Sequence, residues 1–302
     1  MISYKKISIG TTRSGKGECI HLRFVGNSGN YHNIIIDTGP ASTSGAFREL
    51  VSKIISTEEV LDMLIITHYD EDHIGGILRV GDPGFQNIYF NAYNGEEQTG
   101  NLTATQNQQL FHLLPRVKIH SSVLKGDIIE LDGAKIIIHA PTENMLLKAM
   151  QKMKEVDAQL ANENDWQYSL VELMNRSYSG TDSSPSNRSS IVFTFEYDSC
   201  RFLFCGDAWS ENIPGGEYDL VKLPHHGSIR NISEELLSRI KTDSFMICAD
   251  GTSHPNKQTI AKLLQKYEKI TIYGNYSWWM DNFLKMEDMK FIQDKQLSFK
   301  TI

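Results

Sequence analysis

The chain has 302 residues, of which 40% are hydrophobic and 22% are charged. This composition is typical of a globular protein, and the length predicts one large domain, 1–302, or two fused half-domains. With 30 basic against 37 acidic residues, the net charge of −7 argues against an enzyme that grips long polyanions, and less against one that handles a small phosphodiester.

The first residues, MISYKKISIGTTRSGKG, lack the apolar core of a signal peptide, and no later stretch is apolar over the length of a membrane span. We therefore expect a cytoplasmic protein without a membrane partner. The cysteines are scattered and lack the paired spacing of zinc or redox motifs, so we expect reduced core thiols at Cys19, Cys200, Cys205 and Cys248.

The first half of the chain opens with β-structure. Segments 18–25 and 33–39 flank a turn-rich stretch and predict a β-hairpin. Apolar residues at helical spacing predict a helix over 46–55, and the apolar run 63–67 predicts the next strand. This part therefore shows a β–α–β order.

A second hairpin is predicted for 118–131 and 134–141, because Asp132-Gly133 is a good tight-turn pair. Residues 142–173 then change to Met, Leu, Lys and Glu at helical spacing, which indicates a helical insertion. Such an insertion would serve as a lid or as a docking surface for a protein partner, and its composition does not decide between them.

The second half repeats the order of the first. A hairpin is predicted for 189–197 and 201–207, with its turn at Asp198-Ser199. Strands then alternate with helices, at 219–223, 232–240, 244–250, 256–267 and 269–273. Two β-rich halves that each finish with helices predict an α/β (α+β) fold, a four-layer αββα sandwich whose strand ends converge on one edge.

The strand at 63–67 stops in a crowd of ionisable residues, His68, Asp70, Asp72 and His73. So many imidazoles and carboxylates at the end of a buried strand would repel one another, or stay desolvated, unless a cation neutralised them. His68 and Asp70 alternate and can face one cation, while Asp72 and His73 on the following turn can face a second.

Two later strand ends supply further ligands. Asp207 follows the apolar strand 201–205 and suits a carboxylate that bridges two cations, and either His225 or His226 would complete a coordination shell. Divalent ions held ~3.5–4 Å apart would generate hydroxide and stabilise the charge of a phosphoryl or acyl transition state.

These motifs resemble a known family. His68–His73 is similar to the HxHxDH signature of the metallo-β-lactamase superfamily in its HxDxDH variant, and the ordered set resembles the hydrolase domain of ComEC-type competence proteins. The resemblance covers nearly the whole chain through 36–39, 68–76, 187–190, 204–208, 223–228 and 253–255.

The resemblance implies a metallo-β-lactamase fold with two divalent metal ions. Asp70 stands where most members have histidine, and a hard oxygen ligand shifts preference from zinc toward manganese or magnesium, so the metal is open. The implied ligands are His68, Asp70, Asp72, His73, Asp207 and His226, which leaves His225 to contact substrate.

The chain also departs from the family pattern. Many members supply another histidine where this chain has Asn187 and Ser190, so the first metal would be held weakly or be completed by water. Glu18 stands where the family's glycine-rich opening has aspartate. Asp37, at the end of a strand, is expected to orient a metal-binding histidine from behind.

His254 precedes Pro255 and a predicted helix. The helix N-terminus and the imidazole together would hold a phosphate, with Ser228 as a further substrate contact. Asn187 and Ser190 are also expected at the substrate.

The sequence thus predicts a metal-dependent phosphodiesterase or nuclease that uses a metal-activated hydroxide, with catalytic residues Asp72, Asp207, His225 and His254. A phosphodiester or nucleic acid would be its substrate. One alternative is hydrolysis of a carboxylic ester, lactone or thioester on the same fold. The other is a non-catalytic, metal-stabilised module that binds a partner.

Overall fold

A computed structural model describes residues 1–91, 109–110, 112–114, 118–152, 165–178 and 181–302. Within these ranges the chain forms two large mixed β-sheets, a two-stranded ribbon and several α-helices. No helix in these ranges combines the length and the apolar character needed to cross a lipid bilayer.

The first sheet contains β1 (Ile2–Ser3), β2 (Ile7–Thr11), β3 (Ile20–Val25), β4 (Tyr31–Ile36), β5 (Leu61–Ile65), β6 (Asn87–Tyr89) and β7 (Lys118–His120), in that spatial order. The strands β1 to β4 pair antiparallel, whereas β4 to β7 pair parallel. The carboxyl ends of β4 and β5 therefore lie side by side.

The second sheet begins at one edge with β8 (Ile128–Leu131), β9 (Ala134–Ala140), β10 (Val192–Tyr197) and β11 (Cys200–Phe204), which pair antiparallel. It continues in parallel with β13 (Leu220–Lys222), β15 (Ser244–Ile247), β16 (Ile270–Gly274) and β17 (Leu297–Thr301). The ribbon is formed by β12 (Gly216–Glu217) and β14 (Ile240–Lys241).

The helices cover the outer faces of the two sheets. They are α1 (Ser44–Ser56), α2 (Glu71–Val80), α3 (Glu143–Lys152), α4 (Leu170–Met174), α5 (Pro185–Arg188), α6 (Glu234–Arg239), α7 (Lys257–Lys266) and α8 (Met289–Gln293). Apolar residues of α1 and α2 form one cluster with the outer face of the first sheet, and those of α4, α6 and α7 form another with the second.

A third apolar cluster lies between the sheets. Phe24 of β3 meets Phe195 of β10 edge to face, with ring centroids 5.4 Å apart, and both side chains are buried. In β3, buried residues alternate with partly exposed ones, as expected for a strand that faces this core on one side. Helix, sheet, sheet and helix thus form four layers, which confirms the predicted sandwich.

Both predicted tight turns are present. Asp132 and Gly133 join β8 to β9 with φ of 44° and 93°, and Asp198 and Ser199 join β10 to β11 with φ of 51° and 65°. Two consecutive residues with positive φ give the twist that short antiparallel hairpins require.

The structure differs from the prediction at 118–131, which is not one strand. Residues 118–120 form β7 in the first sheet and residues 128–131 form β8 in the second, because the chain turns at Gly126, whose φ is 102°. Helix α3 lies within the predicted insertion 142–173, α4 begins within it and ends one residue beyond it, and residues 153–164 lie outside the described ranges. Its role as a lid or docking surface stays a prediction.

The imidazole of His32 links the two sheets. His32 of β4 lies 2.9 Å through Nδ1 from Asp62 and 2.9 Å through Nε2 from Asp132 in the β8–β9 turn. Burial alone would lower the pKa of His32, but the two carboxylates raise it above its usual value. The two carboxylates therefore favour the protonated ring, which can donate to a carboxylate on either side.

We expect His32→Gln to destabilise the protein by about 1–2 kcal/mol at pH near 6 and by less near pH 9. Because the folded pKa is raised, the stabilisation is present below the unfolded pKa and is lost as pH rises through the folded value. Urea unfolding at the two pH values measures the difference. His21, whose pKa burial lowers, provides the control, since His21→Gln should not show a larger loss at the lower pH.

Candidate metal centre

Strand ends from both sheets converge at the predicted ligands. Asp37 directly follows β4 and His68 lies just beyond β5, while Asp207 lies just beyond β11 and His226 just beyond β13. The carboxyl ends of parallel strands are where open α/β sheets place their sites.

Asp70, Asp72 and His73 belong to the start of a helix rather than to a turn. Asp70 is the residue before α2, and Asp72 and His73 lie in its first turn. The sequence carried this signal, because an aspartate before two acidic residues and an apolar helical pattern is typical of a helix start. The helix brings Asp72 and His73 back over the end of β5.

The ligand atoms form two groups on either side of Asp207. His68 Nε2 lies 3.6 Å from Asp70 Oδ2, and His226 Nε2 lies 3.2 Å from Asp72 Oδ2. The carboxylate of Asp207 is 4.0 Å from His68 Nε2 and 3.6 Å from His226 Nε2. Its other oxygen is 3.5 Å from Nε2 of His73.

Hydrogen bonds fix each of these three rings through Nδ1. His73 Nδ1 donates to Asp37 at 2.8 Å, and His226 Nδ1 donates to the carbonyl of Cys248 at 2.8 Å. Thr67 Oγ1 donates to Asp37 and therefore accepts from His68 Nδ1, at 3.1 Å. With Nδ1 protonated, each ring presents an Nε2 lone pair to the centre.

The residues fit divalent cations. Nε2 of His68, Nε2 of His73 and Oδ1 of Asp207 are buried and have no hydrogen-bond partner among the described residues. Unsatisfied buried acceptors are costly unless a cation or water meets them. Among the described residues, four groups of three have ligand atoms within 4.8 Å of one another: His68 with His73 and Asp207, Asp72 with His73 and His226, Glu18 with Asp37 and His73, and Glu18 with Asp207 and His226.

Proton affinities at the centre show how strongly the carboxylates attract positive charge. Burial would lower the pKa of His73, but Asp207, Asp72 and Asp37 raise it well above its usual value. Burial would raise the pKa of Asp207, but the neighbouring histidines hold it well below its usual value. Cations and protons therefore compete for the same lone pairs.

His225 and His226 adopt an uncommon backbone. Their φ angles are 47° and 52°, and Gly227 follows at 83°. Consecutive left-handed residues cost energy, and such strain is typical of functional sites. The bend turns His226 inward, where 2% of its side chain is exposed, and leaves His225 25% exposed at the rim.

Polar side chains hold His225 at the rim of the centre. His225 Nδ1 lies 3.0 Å from Asn231 Oδ1 and 3.3 Å from Asp182 Oδ2, and its Nε2 lies 3.7 Å from Asp207 Oδ2. Burial opposes the charged form, but Asp207 and Asp182 raise the pKa of His225 to about 9. His225 therefore carries positive charge at neutral pH.

Three predicted substrate contacts have structural partners instead. Ser190 Oγ accepts from the Asp207 N–H at 3.2 Å, and Asn187 Nδ2 donates to Asp182 at 2.8 Å. Ser228 is fully buried, and its Oγ accepts from the Arg230 N–H at 3.3 Å. All three side chains are buried, although Asn187 Oδ1 has no hydrogen-bond partner among the described residues and Asn187 Nδ2 also lies 3.3 Å from His225 Nδ1. Their contact with substrate stays a prediction.

His254 lies beside the histidine pair, but without the expected helix N-terminus. Its ring centroid is 5.0 Å from that of His225 and 6.0 Å from that of His226. The first amides of α7, those of Lys257 and Gln258, donate to the carboxylate of Asp165 at 2.7 and 2.8 Å. Because Asp165 already accepts from these amides, the expected phosphate site would retain only the imidazole of His254.

The structure brings all six predicted ligands together, and their binding of metal stays a prediction. Two charged neighbours were not expected. Lys222, inside β13, is fully buried and lies 3.8 Å from Asp207, and Asp182 supports His225. Lys222 could have been identified from the sequence, because a lysine in a short apolar strand is unusual. The polar loop around Asp182 carries no such signal.

Comparison with known proteins identifies the family. A family model described as the metallo-beta-lactamase superfamily matches residues 24–251. ComE operon protein 3 of Bacillus subtilis (strain 168) is 24% identical over 278 residues, which cover 84% of this chain and 30% of that protein. The chain therefore spans less than a third of that relative's length.

Solved structures with a similar fold include zinc-bound PqqB from Methylobacterium extorquens, with a TM-score of 0.44, 11% identity, and coverage of 93% of this chain and 84% of that one. A diphosphatase from the PhnP family has a TM-score of 0.40, 15% identity, and coverage of 94% and 81%. Since the family model matches more than half of its residues, the chain belongs to the metallo-beta-lactamase superfamily.

Proposed function

We propose that the chain is a metal-dependent phosphodiesterase with a nucleic acid or a small phosphodiester as substrate. The observation that carries the proposal is the position of Asp207 between two groups of ligand atoms that include buried, unpartnered histidine nitrogens. Two divalent cations, when bound, would supply a lowered pKa for the attacking water and charge neutralisation at phosphorus.

Asp70 supports phosphoryl over acyl chemistry. Its carboxylate lies 3.6 Å from His68 Nε2, in the place of the signature's second histidine. A hard oxygen ligand favours manganese or magnesium, which bind phosphate oxygens well. The resemblance of the HxDxDH variant to ComEC-type hydrolase domains supports the same preference.

The open side of the centre suits an anionic substrate. Asp70, Asp72 and His225 expose 28%, 34% and 25% of their side chains, whereas His68 and His73 expose none. The positive charge of His225 and the neighbouring ring of His254 would steady the nonbridging oxygens of a phosphodiester. The acidic net charge favours a short or single-stranded substrate.

Metal analysis of the purified protein and hydrolysis of bis(p-nitrophenyl) phosphate and labelled single-stranded DNA test the proposal, each with Mn²⁺, Mg²⁺ and Zn²⁺. We expect bound metal and Mn²⁺-stimulated diester cleavage that EDTA abolishes. Turnover of carboxylic esters or lactones without diester cleavage would move the assignment to acyl hydrolysis. Bound metal with no hydrolysis would favour the partner-binding alternative.

The variant His254→Ala separates substrate contact from metal binding. We expect diester turnover to fall about tenfold to a hundredfold while metal content stays unchanged, because the ring lies beside the ligands without being one of them. Single-turnover rates and metal content of the same preparation are the measurements. An equal loss of metal would contradict a substrate role.

A further inference from the structure

A buried ion pair lies against the metal centre. The Lys222 ammonium contacts the carboxylate of Glu18, and neither side chain has any exposed surface. Glu18 also lies 3.7 Å from Nδ1 of His226 and 4.0 Å from Nδ1 of His73. Burying two charges costs several kcal/mol per ion in desolvation, so an ion pair in this position is weak evidence for a contribution to stability.

Lys222 cannot be a metal ligand, because an ammonium group has no lone pair. Its Nζ instead donates to the carbonyl of Gly206 at 3.0 Å and lies 3.8 Å from Oδ1 of Asp207. The same Gly206 carbonyl accepts from the N–H of His225 at 3.0 Å. One peptide oxygen thus connects the loop of Asp207 with the loop of the histidine pair.

Gly206 adopts a left-handed conformation, with φ of 51°, and a Cβ at this position would lie 2.9 Å from Thr67. Glycine adopts this conformation without strain and has no side chain to restrict it, so the groups that bind the Gly206 carbonyl set the orientation of its peptide. A lysine that donates to this carbonyl and attracts Oδ1 fixes the direction in which the Asp207 carboxylate points.

We propose that Lys222 is a positioning residue of the metal centre, which fixes Asp207 through the Gly206 carbonyl, with Glu18 as its counter-charge. The inference rests on the proposed function only in requiring that the centre bind divalent cations. It assigns a role to Glu18, which stands where the family's opening motif has aspartate.

The variant Glu18→Gln/Lys222→Met tests the role without changing the net charge. Removing both charges leaves no uncompensated buried charge, so the unfolding midpoint of the metal-free protein should stay closer to that of the wild type than the midpoint of Glu18→Gln alone. Mn²⁺ affinity, measured by competition with a chromogenic chelator, should fall at least about tenfold, because groups that orient a metal ligand typically contribute that much.

The matched control is Asp288→Asn/Lys257→Met. Lys257 and Asp288 form another fully buried pair, with Nζ and Oδ2 2.6 Å apart, and contact none of the six predicted ligands in the described ranges. This control should keep the Mn²⁺ affinity of the wild type. Equal affinity in the control, the wild type and the Glu18/Lys222 variant would overturn the proposal.

Two single variants keep the test decisive if the double variant fails to fold. Glu18→Asp retains the counter-charge and should keep Mn²⁺ affinity within about threefold of the wild type, whereas Glu18→Gln leaves Lys222 unneutralised and should lose about tenfold or more. Equal affinities for the two would overturn the proposal, as would a wild type that binds no Mn²⁺. A protein that binds Mn²⁺ but cleaves no phosphodiester would refute the proposed function. The role of Lys222 would still be decided by the Mn²⁺ affinities of the variants.

Discussion

Replacing Asp207 by asparagine is expected to lower metal-dependent diester hydrolysis at least about a thousandfold, because a single neutral oxygen replaces the carboxylate between the two groups of ligands. Asparagine has nearly the same volume, and the backbone bonds of Asp207, to Ser190 and from Asn231, do not involve the side chain. The protein should therefore fold normally and lose metal.

The control for this variant is Asp198→Asn. Asp198 lies at the other end of β11, is exposed, and has a φ of 51° that asparagine tolerates. Turnover of bis(p-nitrophenyl) phosphate and metal content should match the wild type in the control. Activity of Asp207→Asn within tenfold of the wild type at saturating Mn²⁺ would exclude a central role for this carboxylate.

The second large effect is expected at Asp37. Its carboxylate accepts from His73 Nδ1 and from Thr67 Oγ1, which in turn accepts from His68. Asparagine cannot accept all of these donors, so both rings lose their fixed tautomer and orientation. We expect Asp37→Asn to weaken Mn²⁺ binding about 10- to 100-fold.

The backbone conformation of Asp37 is compatible with asparagine, so the substitution should not strain the backbone. Asp37 has a φ of 56°, a conformation that asparagine adopts as readily as aspartate. The same Asp198→Asn control therefore applies, at nearly the same φ. A titration of metal-free protein with Mn²⁺ measures the loss, and unchanged affinity would mean that the two rings hold their orientation without Asp37.

Local patterns predicted most of the sandwich. Alternating strands, helical spacing and tight-turn pairs are properties of neighbouring residues, and β3, β10 and α1 follow them. The edge strands β1 and β17, and β2 beside β1, were not predicted, because short strands of two to five residues carry little pattern of their own. The split of 118–131 between two sheets depends on long-range pairing that no local signal specifies.

In the candidate centre, too, local patterns could be predicted from the sequence and long-range contacts could not. The convergence of His68, Asp72 and Asp207 was predictable because ionisable residues rarely follow a buried strand without a function, and their metal binding stays a prediction. The occupation of the α7 amides by Asp165 was not, since the two segments are far apart in the sequence. Ser190 and Ser228 were assigned to substrate because sequence does not indicate the direction of a side chain.

The contacts of Asp165 have a consequence for how this fold can be altered. The carboxylate closes the start of α7, and Trp166 Nε1 donates to the carbonyl of Pro255 at 3.0 Å, next to His254. Residues 165 and 166 could therefore not be deleted or exchanged between relatives without consequence. A graft that omits them would leave the amides of Lys257 and Gln258 without the Asp165 carboxylate, and a chimera should retain both residues even where the rest of 142–173 is replaced.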